Sequence, residues 1–263
     1  MSEVTVVEVP QWRGSGARTA ERLREGARLL ADMVNADRRV RVEVDDDLVL
    51  TASRVREAVA QAADGLMVTA GGDCGVELEP VAAARKRYGD RLVVVWFDAH
   101  GDLNTPDSSP SGAFHGMVLR ALTGDGPAGL APGDRLDPGQ IVLAGVRDLD
   151  PAELAFVEDR GIRRLTVADS GAALAEAIAE IHGEAAVYVH IDFDVLDPEI
   201  FASVGSPAPG GLRPEGLLSL VSAVAERFEV VGLGLMEYEP SREEDQATLS
   251  GLVEGLVEVC ARR

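Results

Sequence analysis

Residues 98–102 read Asp98-Ala99-His100-Gly101-Asp102, directly after the apolar stretch 92–97, Leu-Val-Val-Val-Trp-Phe. Along an extended backbone, alternate side chains point the same way, so Asp98, His100 and Asp102 share a face. Two carboxylates and an imidazole converging at a strand end form a donor set for a divalent metal. A helix–loop–helix calcium site fits poorly, because a strand-like run precedes the motif and His100 stands where an oxygen ligand belongs. Alone, the run also reads as a polar strand-end turn. A second apolar stretch, 187–191, leads into Asp192-Phe193-Asp194-Val195-Leu196-Asp197-Pro198. Asp192 and Asp194 again share a face by the period of two, and Pro198 stops the strand. Buried strand ends aiming carboxylates at one another would repel unless a cation lay between them. A pair of divalent ions bridged by carboxylates resolves that repulsion.

The elements that must position these groups alternate along the whole chain. Short apolar runs at 4–9, 40–44, 66–70, 92–97, 141–146, 164–167, 187–192 and 230–236 read as strands. Amphipathic stretches at 17–35, 50–63, 76–88, 111–122, 151–160, 172–182, 214–228 and 243–259 read as helices. Such alternation predicts an α/β fold with a mostly parallel sheet covered on both faces. No linker divides residues 1–263, so a single domain is expected. In open α/β sheets the functional groups lie beyond the carboxyl ends of the strands. Gly71-Gly72-Asp73-Cys74, Asp98 to Asp102, Arg147-Asp148-Leu149-Asp150, Asp192 to Asp197 and Glu237-Tyr238-Glu239-Pro240 all fall there. One rim lined with acids predicts a metal cluster that receives a cationic ligand. The first strand is followed by no Gly-x-Gly-x-x-Gly, which argues against a dinucleotide site.

Composition narrows the partners. A formal net charge of -20 disfavours nucleic acid and anionic membrane surfaces and favours a small cationic substrate. Two distant cysteines, Cys74 and Cys260, make no disulfide framework, and no secretory signal or membrane-length apolar stretch is legible, so a cytoplasmic protein is expected. Two hard divalent ions lower the pKa of a shared water, so no serine or cysteine nucleophile is needed. The predicted chemistry is metal-assisted hydrolysis of a cationic carbon–nitrogen substrate.

These motifs, with Ser111-Gly112-Ala113-Phe114-His115-Gly116 and Gly205-Ser206-Pro207 in the same order, resemble the arginase/agmatinase (ureohydrolase) family. The resemblance implies a three-layer α/β/α sandwich around a parallel, eight-stranded sheet and two Mn²⁺ ions per chain. It implies that Asp98 and Asp192 bridge the ions, that His100 and Asp194 complete one, and that Asp102 binds the other. Asp102 would also orient a metal-bridging hydroxide, Glu237 the guanidinium, and His115 would shuttle a proton, although a histidine packed at a helix start is the alternative for His115. Asn104 and Ser111 match positions that hold an α-carboxylate, with Ala113 in place of an expected asparagine. Asp148 and Asp150 either receive an α-amino group or, for Asp150, cap the helix beginning at Pro151. His182 and His190 are read as structural.

The family normally carries histidine where this chain has Cys74. Cys74 is read as a replacement ligand, the alternative being an inert buried side chain. A cysteine here is similar to the family's Nω-hydroxy-L-arginine hydrolases of antibiotic (cycloserine) biosynthesis, which yield hydroxyurea and L-ornithine; arginases yield urea and L-ornithine. Agmatinase or guanidinobutyrase activity, and a metal-depleted non-catalytic homologue, are the competing expectations. A chain ending soon after its last helix suggests a monomer or small homo-oligomer.

Overall fold

The computed structural model describes residues 2–62 and 65–262; residue 63, where the predicted second helix ends, lies outside them. Eight strands form one all-parallel sheet: β1 (Val4–Val9), β2 (Arg38–Arg41), β3 (Leu66–Gly71), β4 (Leu92–Phe97), β5 (Ile141–Ala144), β6 (Arg163–Leu165), β7 (Ala186–Asp192) and β8 (Glu229–Met236). Their order is β2-β1-β3-β8-β7-β4-β5-β6. The helices are α1 (Leu23–Met33), α2 (Leu48–Gln61), α3 (Leu78–Tyr88), α4 (Val118–Leu122), α5 (Pro151–Arg160), α6 (Gly171–Ile181), α7 (Pro214–Arg227) and α8 (Glu243–Cys260).

Side-chain alternation divides each central strand between two cores. Val93, Val95 and Phe97 of β4 pack with α1, α6, α7 and α8, whereas Leu92, Val94 and Trp96 pack with α2 to α5. This is the parallel sheet covered on both faces that the alternation of runs predicts, and the α/β/α sandwich that the resemblance implies. The order matters for the site. β7 and β8 sit between β3 and β4, so the carboxyl ends of four adjacent strands, β3, β8, β7 and β4, open onto one rim.

Several boundaries differ from expectation. The helix expected over 111–122 is only α4, because Gly112 takes φ +68° and the backbone runs as a loop into a short 3-10 turn at His115–Met117. The helix expected from residue 17 begins at Leu23, after a separate turn at Ala20–Arg22. β5 stops at Ala144 because Gly145 turns the chain at φ +87°. β2 pairs over 38–41 rather than 40–44, in register with Thr5 to Glu8 of β1.

Arg147 ties the rim loops together. Its guanidinium donates to the carbonyls of Asp194 at 2.9 Å, Ala208 at 2.7 Å, Pro209 at 3.0 Å and Gly145 at 3.1 Å. Arg147→Ala leaves these carbonyls to water, and we expect it to lower unfolding free energy by about 1.5–3 kcal/mol, measured by denaturant titration. A loss below about 0.5 kcal/mol would show that the loops hold without it.

Candidate metal centre and active site

Each central strand delivers its acids through the turn that follows it, not through the strand itself. β4 ends at Phe97, so the shared face expected for Asp98, His100 and Asp102 is not a strand face. Asp98 Oδ1 accepts the His100 N–H at 2.6 Å, which folds the backbone into a tight turn. At the end of β7, Asp192 Oδ1 likewise accepts the Asp194 N–H at 2.7 Å. Asp102 (φ +52°) and Glu237 (φ +62°) are the non-glycine residues with left-handed backbone among those described. Strain of that kind persists where surrounding structure enforces it, and here it aims two carboxylates inward.

Three overlapping groups of potential ligands result, two of them sharing Asp98. In one, Cys74 Sγ, carboxylate oxygens of Asp98 and Asp102, and a ring nitrogen of His190 lie within 4.8 Å of one another. In another, Asp98, His100 and Asp194 do so, with His100 Nδ1 3.0 Å from Asp194 Oδ2. In the third, Asp192 falls with Cys74 and Glu237, and the Cys74 thiol donates to its Oδ2 at 3.3 Å. His190, read from the sequence as structural, thus stands among the candidate ligands.

The electrostatics suit cations. Asp98, Asp102 and Asp192 are buried, and burial followed by the charges of neighbouring acids pushes all three carboxyls up. Burial, then the Asp192 and Asp102 charges, pushes the Cys74 thiol up as well. Asp194 is the exception: despite burial, its hydrogen bond and charge interaction with His100 hold it low. Asp102 Oδ2 is a buried acceptor with no hydrogen-bond partner. An orphaned carboxylate oxygen amid acids is what a missing divalent ion would leave, so the donor set fits such ions.

Above the groups lies a cavity of about 390 Å³. Every residue predicted for the site lines it except Cys74 and Asp98, which lie beneath. Glu237 Oε1 accepts the Cys74 N–H at 3.0 Å and faces His115 Nδ1 at 3.1 Å. Burial alone would lower the His115 pKa, but the Glu237 charge and hydrogen bond raise it to about 9. His115 thus lines the cavity and also begins the 3-10 turn His115–Met117. Across the cavity, Asn104 donates to Asp150 Oδ2 at 2.8 Å, and Ser108 Oγ donates to Asn104 Oδ1 at 2.8 Å. Asp150 is the N-cap of α5 while also lining the cavity, so the capping alternative holds structurally. Asp148 lies at the mouth, its side chain 73% exposed, and Ser111 occupies an exposed turn there.

Two buried acids escaped sequence reading because both sit in helix-like segments. Glu153 of α5 accepts the Leu103 and Asp150 N–H groups at 2.8 and 2.9 Å, fixing the loop after β4. Glu77 lies behind His190.

A parallel sheet that gathers buried carboxylates and a thiol on one rim defines an α/β protein with a candidate divalent-metal site. The model of the Arginase family matches residues 13–260, and the chain belongs to that family. It is 33% identical to an arginase of Entamoeba histolytica over 202 residues, 73% of this chain and 68% of that one. Other curated arginases are matched over 59–64% of their length. In structure, E. histolytica arginase in complex with L-ornithine superposes with a TM-score of 0.85 at 25% identity, covering 97% of this chain and 98% of that chain. Proclavaminate amidino hydrolase from Streptomyces clavuligerus superposes at 0.77 and 25% identity, covering 99% and 92%.

Proposed function

We propose that this chain is an amidinohydrolase with two divalent ions that cleaves the guanidino group of an arginine-type amino acid, either Nω-hydroxy-L-arginine or L-arginine. The two ligand groups joined at Asp98 beneath an acid-lined cavity carry this reading. Relatives support it: one structural neighbour is an arginase holding L-ornithine, and another is an amidino hydrolase. When bound, divalent ions, Mn²⁺ by the family resemblance, supply an activated water near neutral pH. Asp98, Asp102, Asp192, Asp194, His100 and Cys74 would hold them.

The chain's own groups do the rest. Glu237 anchors the cationic guanidinium, and its charge keeps His115 protonated at neutral pH, ready to donate to the departing amine nitrogen. Asp148 and Asp150 draw the α-amino group, and Asn104, held by Ser108 and Asp150, and Ser111 approach the α-carboxylate. His115→Asn removes the proton donor, and we expect kcat to fall about 10²-fold with metal content unchanged. An unchanged kcat would remove His115 from the mechanism. The reading itself is tested by turnover of L-arginine, Nω-hydroxy-L-arginine, agmatine and 4-guanidinobutyrate by the metal-loaded protein, with urea and hydroxyurea distinguished. Turnover confined to the substrates lacking an α-amino acid group would overturn it.

A further inference from the structure

His190 stands two residues before Asp192 on β7, facing the same side of the sheet. In register it lies between Trp96 of β4 and Gly234 of β8. The imidazole is fully buried and stacks on the Trp96 ring at 3.4 Å and 13°. Behind it is Glu77, also fully buried, whose Oε1 accepts the Tyr188 hydroxyl at 3.0 Å and whose Oε2 lies 3.3 Å from His190 Nδ1. Gly234 opens the slot for that carboxylate, since a Cβ there would fall 2.2 Å from Glu77 Oε2. With Nδ1–H donating to Glu77, the Nε2 lone pair is left for the other side of the ring. That side faces Cys74 Sγ at 3.7 Å, with oxygens of Asp98 and Asp102 in the same group.

We propose that His190 Nε2 is a ligand of the deeper metal position, together with the Cys74 thiolate, Asp98 and Asp102, and that this position takes a borderline-soft ion of the zinc class. The inference rests on the two-metal reading of the site but on no particular substrate. A carboxylate behind a metal-bound imidazole fixes the tautomer and raises its basicity, which is the arrangement of Glu77 and His190. The sulfur–nitrogen separation also agrees: tetrahedral zinc with its usual bond lengths places sulfur and nitrogen about 3.6 Å apart. A core histidine satisfied by Glu77 alone has no need to face a thiol and two acids. The position thus draws an imidazole from β7, and the thiol beside it is a soft donor. A set of one sulfur, one nitrogen and two carboxylates favours zinc over manganese. As the sulfur–metal bond forms, the thiol proton leaves to solvent.

X-ray absorption of the full-length protein loaded with two zinc ions tests this without mutation. His100 and His190 together give two imidazoles, and Cys74 one sulfur, per pair of ions. One imidazole per pair, or no sulfur, overturns the proposal. In titrations with zinc or cobalt, His190→Ala is expected to lose one of the two equivalents, and Glu77→Gln to weaken one by about 10–100-fold. Unchanged binding in both variants also overturns it. Cobalt loading should produce a thiolate charge-transfer band that Cys74→Ser abolishes. A protein that binds zinc in this way yet hydrolyses no guanidino compound would sink the amidinohydrolase reading alone.

Discussion

Asp98→Asn should lower kcat/KM for the guanidino substrate by at least about 10⁴-fold, because the variant forfeits a shift in water's pKa from 15.7 to about 7. The size of the effect follows from position. Asp98 joins the group containing Cys74 to the group containing His100, so removing its charge weakens both ion positions together. Its oxygens also accept the Trp96 indole N–H at 3.1 Å and the His100 N–H at 2.6 Å. An asparagine keeps one acceptor but presents an amide N–H to one of these donors, disturbing the turn that aims His100. Elemental analysis should find both equivalents of metal depleted after dialysis. Retention of two ions with activity above about a tenth of wild type would show that Asp98 bridges nothing. Ligands on one side alone, such as Asp194, should cost less metal when removed.

That acids gather after β4 and β7 was legible before any coordinates because chemistry and periodicity agreed there; the bridging role of Asp98 came only from the family resemblance. Runs such as 92–97 and 187–192 are apolar on both faces, as strands covered by helices must be, and the acids following them are conspicuous. What the periodicity misjudged was how the acids converge. Period-two alternation stops at Phe97, and the side chains meet through Asx turns and a left-handed Asp102, which residue types do not announce. The region 111–117 misled for a related reason. Its apolar spacing mimics a helix, but Gly112 takes a conformation in which a helix cannot continue. His190 was hidden by its surroundings, since a lone histidine in an apolar run is most economically read as core. The register that sets it between Trp96 and Gly234, with Glu77 behind and Cys74 ahead, is what makes it a candidate ligand as well as a core residue.

The metal-free protein should become less stable as pH rises from 5 to 8, its Tm dropping by at least about 10 °C. Asp98, Asp102 and Asp192 keep their protons far above the ordinary carboxylate range when folded. Burial likewise lifts Asp73 to about 7. In the unfolded chain these groups ionise near pH 4, so between that value and their folded values the native state binds more protons. Unfolding free energy then falls with rising pH, by about 1.4 kcal/mol per pH unit for each proton the native cluster holds in excess of the unfolded chain. His115 acts in the same direction: its folded pKa is raised, so its contribution is complete below about 6.5 and is lost as pH climbs through about 9. Asp194 is held low, and its opposite contribution fades only below about pH 4, outside this window; burial pushes His190 down as well, and that one group opposes the trend only below about pH 6.5. Each kcal/mol corresponds to about 2–4 °C in a chain of this size. Divalent ions replace the protons, so loading should raise Tm far more at pH 8 than at pH 5. Net charge of -20 also disfavours the folded state as pH rises, and one variant separates the two causes. Asn tolerates the left-handed backbone at position 102 and is neutral at every pH, so Asp102→Asn should fold and flatten the metal-free slope by one proton's worth. A slope that survives Asp102→Asn intact would assign the pH dependence to the surface and leave the buried cluster without a part in it.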